Sequence, residues 1–547
     1  MWAGAMVGTA IGCPTDETPP PEEVPCEDPA TVTTSPSADR ALTGETRFED
    51  VTEASGIAWT PTVTDWQELV DEAPEFGEDY NQWGGFAVAD FDGDGHLDVL
   101  FTNKDEVARL FLGAGGMQFV EVDAAEAGLE APEGRLSGAT AVDYDGDGDL
   151  DALLVGRSTT FLENRTGQGS PLFQRSFLIG PPVDTPASIE QSSSWADIDR
   201  DGDLDAYIAN WGWDPFHPDP TRDRLLLQEG GGFVDHGEEF LPEGLDGSGY
   251  IGAWTDIDRD DDLDLFVVQE ADPSGEGANF VLTHDGAFGD DLSFTAATLG
   301  VEVPGRAMGL GLGDMDRDGD LDAHVSDIGP TKLFEQRDGQ FIEVGTAALG
   351  PLLPVDPEGS WSTFFLDVDN DTHLELYTAV GVLGNDALDD EELRPQPDRL
   401  WSRDQGTGVW SDAGAALGVA DPNATRAALA VDLNDDGCVD ILSFRLLTGP
   451  RLLQGVCPVD HAWVTVDLTQ GDGNVYAIGA RVEAHDGADY LGQREVYAGS
   501  IGVYTGGPPQ VRFGLGARDQ VDLRVRWPDG TRTCNRVPTR RRINLSR

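Results

Sequence analysis

Seven short stretches of this chain carry carboxylates at a spacing that suits a hard cation. The clearest runs Asp314-Met315-Asp316-Arg317-Asp318-Gly319-Asp320-Leu321-Asp322, a D-x-D-x-D-G-x-L-D pattern. It recurs at Asp90, Asp92, Asp94, Asp98; at Asp143, Asp145, Asp147, Asp151; at Asp197, Asp199, Asp201, Asp205; and at Asp256, Asp258, Asp260, Asp264. After Asp314, Asp316, Asp318, Asp322 come Asp367, Asp369, Asp371, Glu375 and then Asp432, Asn434, Asp436, Asp440. Ca2+ takes six to eight oxygen ligands. Carboxylates at positions 1, 3 and 5 converge where the chain turns tightly, and one at position 9 closes the far side. Position 7 offers its backbone carbonyl. A glycine near position 6 (Gly95, Gly146, Gly202, Gly319 and Gly437) permits the positive φ of such a turn. Asp261 and Thr372 stand there in loops four and six, so those loops are expected to bind most weakly. Asp and Gly also make plain turns, but seven copies with four ligand positions each exceed what turns require. Without an ion, the acids of each loop would repel one another. Up to seven Ca2+ are expected.

The elements that hold these loops are strands. An EF-hand would need Glu at position 12 and flanking helices; position 12 here is Phe101, Leu154, Ile208, Val267, Val325, Thr378 or Ser443. The first loop lies between Phe86-Ala-Val-Ala and Val99-Leu-Phe-Thr. The loops recur at spacings of 53, 54, 59, 58, 53 and 65 residues, a period that signals an array of supersecondary units. Each unit has an aromatic-led strand, at Phe48, Phe119, Phe173, Phe233, Phe294, Phe341 or Trp410. A Leu-rich strand begins at Arg109, Arg224, Lys332, Arg399 and Arg451. Four antiparallel strands repeated seven times predict an all-β fold, a seven-bladed β-propeller followed by a small C-terminal β domain. The first aromatic strand precedes the first loop, and none follows the seventh. Phe48–Thr52 is therefore expected to complete the last blade and remove its open edge.

These loops and strands resemble FG-GAP/VCBS propeller repeats over roughly 46–457. Ala477-Ile-Gly479-Ala-Arg481-Val482, Val511-Arg-Phe-Gly514-Leu-Gly516 and Trp527-Pro528-Asp-Gly530 resemble the ASPIC/UnbV domain. Together they resemble the cartilage acidic protein family, in a bacterial-type form. That resemblance implies a secreted or surface protein with an interaction role. The calcium-binding EGF module of the vertebrate protein has no Cys-rich counterpart here. The longest departures are insertions at 57–83, 209–224 and 381–398, readable as binding loops or as loop drift.

Composition agrees with an exterior location. The net charge of −68 excludes a nucleic-acid partner, which needs a basic surface. Seven Ca2+ would leave about −54. Residues 460–547 hold 12 Arg against 10 acids, while residues 1–459 carry the excess acid, which marks a boundary near 459. Residues 1–12 form a signal-like segment ahead of an acidic, Pro-rich tether at 13–45, expected to be disordered. The propeller then occupies 46–458 and the C-terminal domain 459–547. Ala10-Ile11-Gly12-Cys13 resembles a lipobox, which would lipidate Cys13 and anchor the chain to a membrane; an ordinary secretory signal or an upstream start is the other reading. No apolar run has the ~18 residues of a transmembrane span. Cys438 and Cys457, in one predicted blade, are expected to form a disulfide outside the cell. Cys26 and Cys534 pair only by remainder.

No HExxH, GxSxG, CxxC or Walker pattern is present, and no enzyme is expected. His96 and His373 at position 7 are expected to be exposed, and Arg481, Arg494, Arg512 and Arg526 form either an anion site or plain strand-face arginines. The favoured function is an extracellular calcium-binding scaffold or adhesion module, a monomer, for a protein or glycan partner. The alternative is a calcium-dependent polysaccharide-degrading enzyme working on the propeller face.

Overall fold

The computed structural model describes residues 26, 33–35, 46–61, 84–103, 107–129, 136–156, 159–166, 172–179, 189–211, 222–241, 248–270, 278–284, 292–345, 359–381, 396–404, 407–446, 448–471, 473–499 and 502–547. Between 46 and 457 it builds seven small antiparallel sheets on one plan. A first strand runs into the acidic loop and a second leaves it; the Leu-led and aromatic-led strands follow outward. In the fifth sheet these are Ala307–Gly313, Asp322–Asp327, Lys332–Arg337 and Gln340–Glu343. Gly313 pairs with Asp322, so the loop between them is a hairpin end. First and second strands are buried on both faces, which explains their continuous apolar runs in place of alternation. The aromatic-led strands are outermost: Phe119 is buried, while Val120 and Glu121 face solvent.

The seventh sheet departs from chain order. Thr425–Val431, Asp440–Arg445 and Gly449–Val456 are completed by Arg47–Asp50, with Phe48 opposite Gly455. The register of the aromatic markers requires this pairing, and it covers an edge that would otherwise be open. Successive first strands pack on one another, from Phe86–Ala89 through Leu136–Val142, Ile189–Ala196, Ser248–Thr255, Ala307–Gly313 and Gly359–Leu366 to Thr425–Val431. The last sheet meets the first through Phe444 and Phe101, 5.9 Å between ring centroids, with Trp59 against both.

Residues 459–547 form two further sheets. One holds Ala462–Thr469, Gln510–Gly516 and Arg541–Ser546; the other holds Arg481–Asp486, Asp489–Glu495, Gln520–Arg526 and Arg532–Pro538. Their core is continuous with that of the second and third repeat sheets, where Tyr144, Trp195 and Leu204 join Val466, Phe513 and Trp527.

The 13–45 stretch is not wholly a free tether. Thr33–Ser35 pairs antiparallel with Arg541–Ser546, and Cys26 is bridged to Cys534 with 4.4 Å between Cα atoms. A backbone that gains ladder bonds and a covalent tie is ordered despite its Pro-rich composition. The signal-like segment, Cys13 and most of the three insertions (62–83, 212–221 and 382–395) lie outside the described residues. Among the described residues no helix is long and apolar enough to cross a membrane.

The acidic loops and the domain above them

Each loop is tied by its own carboxylates. The position-1 carboxylate accepts the position-6 N–H: Asp90 from Gly95 at 2.9 Å, Asp143 from Gly148 at 3.0 Å, Asp367 from Thr372 at 2.9 Å and Asp432 from Gly437 at 2.8 Å. In the second loop it is therefore Gly148, not Gly146, that holds the sixth place. The position-9 carboxylate is a buried peg. Asp98 accepts from Phe91 N and from Gly113 N on the third strand, both at 2.8 Å. Asp151, Asp205, Asp264, Asp322 and Asp440 repeat the arrangement, and Glu375 reaches Val368 N and the Ser402 hydroxyl instead. The position-2 residues, from Phe91 to Leu433, are buried beneath the turn, a regularity sequence reading passed over.

The donor set fits a divalent cation. Ligand atoms of Asp90, Asp92 and Asp94 lie within 4.8 Å of one another, as do those of Asp143, Asp145 and Asp151, of Asp197, Asp199 and Asp205, of Asp256, Asp258 and Asp260, and of Asp314, Asp316 and Asp322. Burial, with repulsion from the neighbouring loop acids, pushes Asp98 and Asp205 up to about 8 and Asp151 and Asp322 up to about 9, against the pull of their N–H donors. Asp143 is pushed to about 7 for the same reasons. Both oxygens of Asp256, and Oδ1 of Asp314 and Asp369, are buried without a hydrogen-bond donor. Crowded, partly unsatisfied carboxylates of this kind are relieved by a hard cation. The residues that would hold it are the position-1, 3, 5 and 9 side chains of each loop.

Position 4 also has a role that sequence reading missed. Gly93, Gly146, Arg200, Arg259, Arg317, Asn370 and Asp435 all have positive φ, between 54° and 73°. From there the loops reach one another. Arg200 donates to Asp261 O at 3.1 Å and pairs with Asp262. Arg259 pairs with Asp320 at 3.2 Å, Arg317 donates to the Thr372 hydroxyl at 2.7 Å, and Asn370 donates to Gly437 O at 2.8 Å. The signal was an arginine at this position in three successive loops of a chain with 34 basic residues. Loops four and six keep the common backbone: Asp261 and Thr372 sit at φ 78° and 85°. Both are gripped from outside, Thr372 by Arg317 and Asp261 by Arg526 at 2.7 Å and Arg532 at 2.9 Å.

Arg526 and Arg532 come from the C-terminal domain, which lies over the loop face. Arg481 and Arg526 approach Asp256 at 3.5 and 3.6 Å. Arg512 donates to Asn370 Oδ1 at 2.6 Å, and Arg494 is half-buried near Asp367 and Asp314. These four arginines share no anion site and do not stand on exposed strand faces. Their charge is directed at loop carboxylates, because the domain that bears them docks there. Tyr490 adds a bond to Asp314 at 2.5 Å, and Gly516 N donates to Asn370 O at 2.7 Å. His96 is exposed; the His373 ring contacts Asp371 at 3.2 Å.

One segment of this domain passes between the first strands. Ala498–Gly499 pairs with Ser194 and Trp195, and Thr505–Gly506 pairs parallel to Phe86 and Ala87. Ser362 donates to Val503 O at 3.0 Å. A Cβ at Gly85 would lie 1.9 Å from Tyr504 O, so the close approach requires glycine. Val503 and Tyr504 are fully buried. Cys438 and Cys457 are bridged at the exit of the seventh sheet, 5.5 Å apart at Cα.

Known families match parts of this arrangement. Residues 90–154 and 314–378 match the FG-GAP-like repeat, and residues 470–547 match ASPIC and UnbV. Cartilage acidic protein 1 from Mus musculus is 22% identical over 493 residues, 82% of this chain and 70% of that protein. The Homo sapiens protein of the same name is 23% identical over 497 residues, 83% of this chain and 70% of its own. Among solved structures, BBS1N in complex with ARL6DN aligns at TM-score 0.39 and 10% identity, covering 69% of this chain and 93% of that one. Saccharomyces cerevisiae Sqt1 aligns at TM-score 0.35 and 10% identity, covering 84% and 96%.

Proposed function

We propose that this chain, which carries FG-GAP-like repeats followed by an ASPIC and UnbV domain, is an extracellular calcium-binding seven-bladed β-propeller that serves as a binding, scaffold or adhesion module for a protein or glycan. The observation that carries the reading is the convergence of loop carboxylates within 4.8 Å, repeated loop after loop. Seven sheets on one plan, with Arg47–Asp50 joined to the seventh, support the blade count. The likeness to cartilage acidic protein 1 supports an exterior location and an interaction role, and Cys13 is the proposed lipid attachment. Calcium would supply positive charge to each loop, holding two strands of a blade by binding only the folded state. A polysaccharide-cleaving reading would use the central face, and residues 498–499 and 505–506 pair with first strands there.

Calcium titration by calorimetry with full-length protein tests this first. Up to seven ions are expected, one fewer after Asp318→Ala. Glycan and protein arrays, with and without EDTA, test the partner: calcium-dependent retention without shortened glycan is expected. Released oligosaccharide would overturn the scaffold reading in favour of the enzyme.

A further inference from the structure

Five of the donors that the C-terminal domain sends to the loop face converge on one kind of acceptor. Tyr476 Oη donates to Gly148 O at 2.8 Å, Asn474 N to Gly202 O at 3.0 Å and Gln493 Nε2 to Gly319 O at 2.7 Å. Arg526 donates to Asp261 O and Arg512 to Gly437 O. Each acceptor is the carbonyl of loop position 6. The same peptide unit is held from the other side, because its N–H, on position 7, donates to the position-5 carboxylate. Asp149 N donates to Asp147 at 3.0 Å, Asp203 N to Asp201 at 3.0 Å, Asp262 N to Asp260 at 3.0 Å, Asp320 N to Asp318 at 2.9 Å and Cys438 N to Asp436 at 2.9 Å. A trans peptide is planar, with N–H and C=O opposed. Whatever fixes the position-5 carboxylate inside the loop therefore fixes the direction of the carbonyl outside it.

We infer that the C-terminal domain is a cap whose grip is linked to filling of the loops by a divalent cation. This rests on the calcium reading above. An ion orders the position-5 carboxylate, the carboxylate orients the peptide between positions 6 and 7, and the carbonyl of that peptide receives the cap. Five loops report in this way to one rigid domain, so their occupancies add in its docking. The linkage is reciprocal: the cap tightens ion binding by the factor by which the ions tighten the cap. The domain also carries the segment that lies between the first strands. Among the described residues it is held there by two short pairings, the Ser362 contact and the burial of Val503 and Tyr504 against Trp361. Loss of the ions loosens all five docking contacts together and releases that segment from the axis.

The test uses full-length protein, and two variants that leave every loop residue intact: Tyr476→Phe, and Tyr476→Phe with Gln493→Ala. Calorimetry counts calcium and its affinity; hydrogen exchange follows residues 502–506 in calcium and in EDTA. In calcium the segment is expected to be protected, with exchange at least about tenfold faster in EDTA. The double variant is expected to bind calcium about fivefold or more weakly, and to lose protection at 502–506 while calcium is present. Tyr476→Phe, lacking only a hydroxyl, is expected to fold and to show the smaller shift. Calcium binding with unchanged exchange at 502–506, or unchanged affinity in the double variant, would overturn the cap. Absence of any calcium binding is a different result and would sink the calcium reading beneath it.

Discussion

At the scale of the residue, the loops place strain where an outside contact can hold it. Thr372 is β-branched and sits at φ 85°, a conformation that costs an L residue about 1–2 kcal/mol. Its only described side-chain bond from another loop comes from Arg317. Thr372→Gly should relieve the strain and stabilise the fold by about 0.5–1 kcal/mol. Asp261 has the same conformation but a different fate, since it answers the buried Arg526 and the partly exposed Arg532. Asp261→Gly should therefore destabilise by about 1–2 kcal/mol, a figure discounted for the part-exposed carboxylate. Denaturant melts of the two variants should move in opposite directions; a shared sign would refute the argument. A second titrating site lies away from the loops. Burial pushes Asp223 up to about 7, against donors from Tyr207 and from Asn210 N at 2.7 Å. A carboxyl raised in the fold contributes stability at acid pH that is lost as pH rises through about 7. The melting temperature should fall between about pH 5 and about pH 8.5 by less in Asp223→Asn than in the natural protein. Parallel curves would show that Asp223 is already ionised in the fold across this range.

At the scale of the element, the seventh sheet is the vulnerable one. Its outer strand is drawn from the other end of the repeat array, so its pairing closes a loop of some 400 residues, as the Arg451–Asp50 ion pair at 3.1 Å illustrates. Deleting residues 1–44 removes the Thr33–Ser35 strand and the Cys26 bridge but leaves all seven repeat sheets whole. Deleting 1–53 also strips the edge from Gly449–Val456. The shorter deletion should give a folded monomer by size-exclusion chromatography, and the longer one should aggregate through the bared edge. Equal behaviour would mean that Arg47–Asp50 closes nothing. The Cys438–Cys457 bridge spans 19 residues of the same sheet. A loop of that size contributes on the order of 3 kcal/mol, so Cys438→Ser should lower the unfolding free energy by about that amount. A linked peptide in a non-reduced digest should identify the pair.

At the scale of the whole molecule, charge dominates. The repeats carry nearly all of the excess acid, whereas the C-terminal domain has slightly more Arg than acid and sets it against the loops. Arginine therefore addresses from one side the repulsion that the proposed divalent ion would address from the other. Chelation should lower the melting temperature sharply, because each ion lost removes a ligand of the folded state. Raised salt should soften the effect only in part, since buried pairs are poorly screened. An unchanged melt in EDTA, with metal loss verified, would exclude a structural role for the ions.

How much of this was legible follows from the range of the interactions. All side-chain ligands of a loop lie within nine residues, so spacing alone exposed the candidate sites. The strand pattern was local too, and counting aromatic markers was enough to assign Phe48 to the last sheet before any pairing was seen. Glycine at position 6 could be anticipated because the turn demands a left-handed residue there. What that reasoning could not supply was the compensation at Asp261 and Thr372, which comes from Arg526, Arg532 and Arg317 in other units. The four C-terminal arginines were visible as residues, but their target was not, for a contact across more than a hundred positions leaves no period in the chain. The same holds for Tyr476 and Gln493, ordinary polar residues until their domain lies on the loop face. Sequence determined the repeats, their acidic loops and their order. Only the tertiary structure decided that the last domain covers the loops, sets residues 498–499 and 502–506 between the first strands and ties Cys26 to Cys534, because those outcomes depend on which surfaces meet.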